Sequence, residues 1–171
     1  MRALFPVLLT FALQAQPPAV LEQLPAAARA EALDIVKRAD FVFETRTEPK
    51  QVRLATLEKL FDHPRLSAAM WRHCQFQPAF YAFVHSEGEW SIDDTRGLRG
   101  TLRLVYQRPG QRIYLVEGVA ERGRLPVPFT VRAKMLTSYR YWEGNRGFET
   151  HLQTWTALDS ALLGVMMHPA P

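Results

Sequence analysis

The sequence predicts an α+β domain in which a curved antiparallel sheet of about seven strands packs on helices, after an N-terminal signal peptide. Three observations lead to this prediction. An apolar leader opens the chain, helix-forming stretches dominate as far as residue 77, and apolar and polar side chains alternate from Pro78 to Leu158. A period of two residues is typical of strands that have one sheltered face. A chain of 171 residues is long enough to bury a core as one domain.

Residues 1–15 have the pattern of a signal peptide. Arg2 gives a positive start, residues 3–12 form an apolar run, and Ala15 is a small residue at a cleavage point. The run is shorter than the roughly 20 apolar residues that span a bilayer. We therefore expect a periplasmic or secreted protein made of a signal peptide (1–15), an N-terminal segment with a helix (16–40) and the α+β domain (41–171). An uncleaved anchor or a buried N-terminal helix is the alternative interpretation of the leader.

Helices are predicted on either side of a first strand. Residues 16–20 are rich in Pro and Ala and suggest a flexible start, whereas residues 25–38 are mostly strong helix formers. Residues 41–47 change to β-branched and aromatic side chains, which predict a strand. Pro49 suits the first turn of a second helix, and Pro64 suits the start of a third. Apolar side chains recur at helical spacing after both prolines.

Six more antiparallel strands are predicted after residue 77, because turn signals divide the alternating stretch. Glu87-Gly88, Pro109-Gly110 and the glycine-flanked stretch 144–147 are the strongest of these signals. Asp159 is placed to cap a last helix at 160–167. The predicted strands are 80–85, 90–95, 101–108, 112–122, 129–143 and 148–158.

The longest alternating stretch, 129–143, predicts a sheet with one face against apolar groups and the other in water. Its odd-numbered residues are mostly apolar or aromatic, and its even-numbered residues include several basic ones. The returning strand places threonines on the same inward face. A hydroxyl in the interior needs a hydrogen-bond partner, so these threonines favour a cavity with scattered polar groups in its wall. The alternative is that threonine occurs here because its branched side chain suits strands. The predicted cavity-lining residues are Tyr106, Met135, Tyr139, Tyr141, Phe148, Thr150 and Thr154.

The order of these elements resembles the START-like, helix-grip superfamily, also called SRPBCC. The resemblance covers residues 41 to about 167 and is carried by FVFETRT at 41–47, the helical stretch 49–74, and YRYWEGNRGFETHLQTWTALDSALLG at 139–164. It implies a curved sheet wrapped around a long C-terminal helix, with a pocket for lipids, sterols or other apolar molecules. This chain departs from that pattern, since only about 12 residues follow Leu158. Either the chain is truncated or the pocket is open there, and the helix at 25–38 is a candidate substitute lid.

The sequence contains no familiar catalytic or metal-binding motif. The five histidines lack metal-ligand spacing, and His151 is predicted to lie exposed on the outward face. Cys74, the only cysteine, is predicted to be a buried and inert thiol. Asp93 and Asp94 point to opposite faces of a strand, which suits a strand end better than paired acid–base catalysis. We therefore predict no catalytic residue, no metal and no cofactor.

The charge distribution argues against nucleic acid as a partner. The formal net charge is +4 and the isoelectric point is near 9.5, but the basic residues are dispersed along the chain. Nucleic-acid binding needs a clustered basic stripe with interleaved aromatic residues. A transient contact with a membrane surface stays open.

Three functions are compatible with the sequence. The first is an exported protein that binds or carries a hydrophobic or amphipathic small molecule, such as a lipid, under the sheet. The second, implied by the same resemblance, is an enzyme of the cyclase or hydrolase kind, with a titratable group such as Asp94 or Glu117 inside the pocket. The third is a non-catalytic envelope interaction module that uses a surface patch of Trp142 and Trp155. Packing of these two tryptophans under a helix is the alternative to an exposed patch.

Overall fold

In the part of the chain that the structure describes, seven antiparallel strands form one open, curved sheet with three α-helices, which confirms the predicted fold class. The computed structural model describes residues 18–47, 53–121, 130–145 and 147–159. The elements in chain order are a 3-10 turn (Ala19–Gln23), α1 (Ala26–Arg38), β1 (Phe41–Arg46), α2 (Leu54–Asp62), α3 (Pro64–His73), β2 (Tyr81–Ser86), β3 (Glu89–Asp93), β4 (Leu98–Arg108), β5 (Gln111–Glu121), β6 (Thr130–Gly144) and β7 (Gly147–Leu158). The order of strands in the sheet is β1-β7-β6-β5-β4-β3-β2.

Several predicted elements have shifted ends. β4 begins at Leu98 instead of residue 101. The flexible start expected at 16–20 is wrong where the structure describes it, because Val20 and Leu21 are buried within the 3-10 turn. The predicted signal peptide (1–15), the helix start at Pro49 and the last helix (160–167) lie outside the described residues.

Helices cover both faces of the sheet, so the prediction that one face lies in water is wrong. We define the front face as the one that carries Met135 and Tyr139, and the back face as the one that carries Leu136. α2 and α3 lie over the front face, whereas α1 and the 3-10 turn lie over the back face. The alternation marks the back face as polar because several even positions of β6 are basic, yet Leu136 and its neighbour Trp155 are almost completely buried there.

The main hydrophobic core lies on the back face. α1 is rich in alanine, which loses no side-chain entropy in a helix, and its Ala32 and Ile35 are buried one turn apart. Lys37 and Arg38 lie in its last turn, where positive charge complements the helix dipole. The core cluster consists of Val20, Leu21, Leu24, Ala32, Ile35, Ile113, Leu115, Leu136 and Trp155.

A β-bulge turns Tyr106 away from the front face. In the pairing of β4 with β5, Leu104 stands opposite Tyr114, and Tyr106 stands opposite the next residue, Ile113. One extra residue is therefore inserted in β4, which reverses the side on which every later residue lies. Tyr106 packs against the back-face core, and its hydroxyl donates to Gln23 Oε1 at 2.7 Å. Its predicted place on the same face as Tyr139 is wrong for this reason.

Candidate functional site

An aromatic cluster occupies the front face where the cavity was predicted. The ring centroid of Phe61, from α2, lies 5.0 Å from that of Tyr139 and 5.5 Å from that of Tyr141. Tyr141 also contacts the ring of Phe148, with centroids 6.2 Å apart. Phe61 thus packs directly on predicted lining residues. Burial raises the pKa of Tyr139, because the phenolate would be poorly solvated there.

The predicted threonines bond to other threonines. The hydroxyl of Thr150 lies 2.9 Å from that of Thr47, and the hydroxyl of Thr154 lies 3.3 Å from that of Thr137. Met135 stands opposite Thr156 in the same face, farther along β6. Six of the seven predicted residues therefore share the front face, and Tyr106 does not.

A cavity of about 270 Å³ lies beside this cluster, between the pair α2–α3 and the front face of β2–β5. None of the seven predicted residues lines it. The wall is almost entirely apolar and consists of Leu60, Phe61, Pro64, Ser67, Ala68, Trp71, Phe80, Ala82, Trp90, Ile92, Leu102 and Tyr114.

Small side chains leave this space open. α3 turns Pro64, Ser67, Ala68 and Trp71 toward the cavity, at the spacing that gives one face of a helix. Ser67 and Ala68 are short, and Ala82 contributes an equally small side chain from the sheet. Both the helical spacing and the small residues are visible in the sequence, but the sequence does not show that α3 lies opposite Ala82 in the folded chain.

The polar atoms of the wall are mostly satisfied within the protein. The hydroxyl of Ser67 donates to the carbonyl of Leu60, and Trp71 Nε1 donates to the carbonyl of Pro78 at 2.7 Å. Tyr114 is buried, and this burial raises its pKa to about 12. Its hydroxyl therefore stays protonated at neutral pH, so the wall is uncharged and mainly carbon.

A polar cleft of about 470 Å³ adjoins the apolar cavity. At its centre Arg112 is only 2% exposed and donates to Asp62 Oδ1 at 2.7 Å. Burial opposes the charged form of Arg112, but hydrogen bonds to Tyr141 and Asp62 outweigh it and raise its pKa. The residues that line the cleft are Glu58, Asp62, Gln107, Arg108, Pro109, Arg112 and Tyr141.

Phe61 and Arg112 join the two spaces. Phe61 lines the apolar cavity, and the guanidinium carbon of Arg112 lies 5.0 Å from the centre of its ring. The site therefore combines an open apolar pocket with a charged cleft, a shape that suits a molecule with an apolar body and a polar end.

Neither acid considered for an enzyme reaches the apolar cavity. Asp94 is buried in the turn after β3, where its carboxylate accepts backbone N–H groups of Arg96 and Leu98 at 2.8 and 2.9 Å. Glu117 is exposed and pairs with Lys134 at 3.3 Å. Charged groups do approach the wall at two places, where Arg112 lies over the ring of Phe61 and where Arg72 donates to the carbonyl of Phe80.

Other sequence predictions need correction. His151 is buried, not exposed, because the β7 register aligns it with β1, and it lies 2.8 Å from Glu44 Oε1. Burial opposes ionisation of Glu44, but hydrogen bonds from Gln153 and His151 lower its pKa overall.

The tryptophan patch is also wrong, because Trp155 is buried under α1 while Trp142 is 40% exposed. Cys74 is exposed at the end of α3, so its predicted burial is wrong as well.

Within the described ranges, no three His, Cys, Asp or Glu side chains come together as a metal site. Nor does any helix in the described part of the chain have the length and apolar content to span a membrane.

Comparison with known proteins gives no family. No family model and no curated protein matches the chain. A solved structure of an uncharacterised protein from Rhizobium leguminosarum is similar to it, with a TM-score of 0.46 and 15% identity over 73% of this chain and 89% of that one. The seven-stranded antiparallel sheet with three helices is compatible with a helix-grip fold.

Proposed function

We propose that this protein binds a small apolar or amphipathic molecule in the cavity between α2–α3 and the sheet. The observation that carries this proposal is the cavity of about 270 Å³, whose wall is almost entirely carbon. Binding would come from removal of apolar surface from water, at roughly 25 cal/mol per Å². The side chains of Ser67 and Trp71 already form hydrogen bonds within the protein, so a polar ligand would gain few new hydrogen bonds from the wall.

The cavity is open on one side, so its volume indicates the size of the part of a ligand that it would bury. An apolar cavity of about 150 Å³ accommodates benzene. A volume of 270 Å³ therefore suits a bicyclic ring system or a short acyl chain. A larger molecule would extend into the cleft at Arg112, where a polar end finds both charge signs.

The test begins with the protein as purified. Organic extraction followed by mass spectrometry is expected to release an apolar compound of this size. Titration of the emptied protein with naphthalene is expected to change the fluorescence of Trp71 and Trp90, which both lie in the wall. Failure of both measurements would remove the proposal.

We also propose an exported location and membership of the helix-grip superfamily. Support for export comes from the apolar leader and its small residue at position 15. Support for the superfamily comes from the order of elements after residue 41. Sequencing the N-terminus of the protein isolated from its compartment is expected to give a start at residue 16; a start at Met1 would contradict cleavage.

A further inference from the structure

β1 is an edge strand of the sheet, and one side of its backbone is open. It pairs with β7 in an unbroken antiparallel register. The N–H of Thr47 bonds to the carbonyl of Thr150, which stands opposite it in that register. The odd-numbered residues of β1 therefore direct their backbone groups to β7, and Val42, Glu44 and Arg46 direct theirs outward. Within the described ranges, no other group bonds to these outward N–H and C=O groups.

The opposite edge of the sheet, β2, is obstructed in two ways. A β-bulge interrupts its register between Val84 and Ser86. At its start, Arg72 donates to the carbonyl of Phe80 at 2.6 Å and lies over the ring of Tyr81. Bulges and charged groups at an edge are common means by which proteins prevent pairing with another strand. β1 has no bulge in its six residues, so it is the more accessible edge for a further strand.

The side chains of β1 are apolar on one face and charged on the other. Phe41 and Phe43 are exposed on the front face. Glu44 and Arg46 are exposed on the back face, and their charges are of opposite sign. A strand that covers this edge therefore has to offer apolar groups on the front and both charge signs on the back. β1 of a second copy has this pattern.

We propose that two copies of the chain pair through β1, antiparallel and about a twofold axis at Phe43. In this register Phe43 stands opposite its own copy. Val42 of each copy pairs with Glu44 of the other, with two backbone hydrogen bonds in each pair. Arg46 of each copy stands opposite Asp40 of the other. Aromatic pairs and opposite-charge pairs across neighbouring strands stabilise a sheet, and a twofold axis is the usual symmetry of a homodimer.

Other registers fit the strand less well. An axis one residue to either side would place two acids directly opposite each other, Glu44 with Asp40 or Glu44 with its own copy. Like charges in that position are destabilising. An axis at Thr45 would leave Phe41 beyond the end of the other copy's strand. The axis at Phe43 keeps both exposed rings inside the joined sheet and sets no two acids opposite each other.

Sedimentation of the purified protein at several concentrations tests the pairing. We expect a weak dimer with a Kd between about 1 and 100 μM, because two short strands give a small interface. Phe43→Lys is expected to raise the Kd about tenfold or more, because two like charges would then face each other at the axis. Phe83→Lys is the matched control and is expected to leave the Kd unchanged, since Phe83 is also an exposed ring on an edge strand but lies on β2.

A second pair of variants isolates the contribution of the backbone. Glu44→Pro and Glu44→Ala both remove the carboxylate, but only proline removes the outward N–H, which the pairing with β7 does not use. We expect Glu44→Ala to keep the dimer and Glu44→Pro to lose it, with thermal unfolding as the check that both variants fold. In the wild-type protein, hydrogen exchange at the amides of Val42 and Glu44 is expected to slow as the concentration rises through the Kd.

Any of three results would overturn the pairing. One is a monomer at a concentration of about 1 mM. Another is loss of the dimer in Phe83→Lys to the same extent as in Phe43→Lys. The third is a dimer in which the amides of Val42 and Glu44 exchange as fast as in the monomer, which would assign the contact to another surface. Naphthalene titration separates this proposal from ligand binding: Phe43 lies outside the cavity wall, so Phe43→Lys is expected to bind naphthalene like the wild type.

Discussion

Replacement of Ala68 by Phe tests the cavity most directly. Ala68 belongs to the wall and is 8% exposed, so a new ring at this position enters the hollow. A cavity of about 150 Å³ holds one benzene, so the added ring takes roughly half of the 270 Å³. A naphthalene probe that loses the burial of about three carbon groups loses ~2–3 kcal/mol of binding free energy. We therefore expect a Kd roughly 30- to 150-fold weaker, measured by tryptophan fluorescence.

The neighbouring residue provides the control. Ala69 lies on the same helix but is exposed, so Ala69→Phe adds the same ring outside the cavity. It is expected to leave the Kd of naphthalene unchanged. Thermal unfolding shows whether Ala68→Phe still folds, and Ala82→Leu fills the cavity from the sheet if it does not. Wild-type affinity in folded filling variants would refute the assignment of the ligand to this cavity.

Three further predictions concern the groups around the site. Asp62→Ala is expected to lower the free energy of unfolding in urea by about 2–4 kcal/mol, because it leaves the buried cation of Arg112 unpaired. Arg112→Met is expected to lower it by only about 1–2 kcal/mol, because water can solvate the half-exposed carboxylate of Asp62. The reverse order would contradict the burial argument. Burial raises the pKa of Tyr114 from 10.0 to about 12, so between these pH values its phenol ionises in the unfolded chain before it does in the folded one. The free energy of unfolding is therefore expected to fall as pH rises from 10 to 12, by at most about 3 kcal/mol. Tyr114→Phe is expected to flatten that slope when unfolding is measured as a function of pH. Gly110→Ala is expected to lower stability by about 1–3 kcal/mol, because φ is +78° and a Cβ would lie 2.9 Å from a backbone carbonyl oxygen. Gly118→Ala is the control in thermal unfolding, since a Cβ there would make only ordinary van der Waals contacts.

The sheet could be predicted from the sequence because alternation of apolar and polar residues identifies each strand and the face on which each side chain lies. The same alternation gave wrong faces where a β-bulge or a covering helix changes the environment. Tyr106 changed sides through one inserted residue in β4, which alternation alone does not reveal. Trp155 falls on the face that the alternation marks as polar, yet α1 covers it together with its partner Leu136. Which face a helix covers depends on contacts between distant parts of the chain, and no local pattern encodes it.

The location of the cavity follows from how α2 and α3 are held above the sheet. α2 is anchored over β5 and β6, where Phe61 packs on Tyr139 and Asp62 pairs with Arg112. α3 is anchored at the other side by its contacts with β2. Between these anchors the facing side chains include Ser67, Ala68 and Ala82, which are too short to meet.

Periodicity indicates which residues share a face, but a hollow depends on the summed volume of the side chains that meet across it. Tyr139 and Tyr141 of β6, predicted to line a pocket, support the ring of Phe61, and Tyr141 also lines the polar cleft. Large side chains hold the helices away from the sheet, and small ones beside them leave the space. The volume of the hollow is therefore expected to change with substitutions at the small positions, while the anchors keep the fold in place.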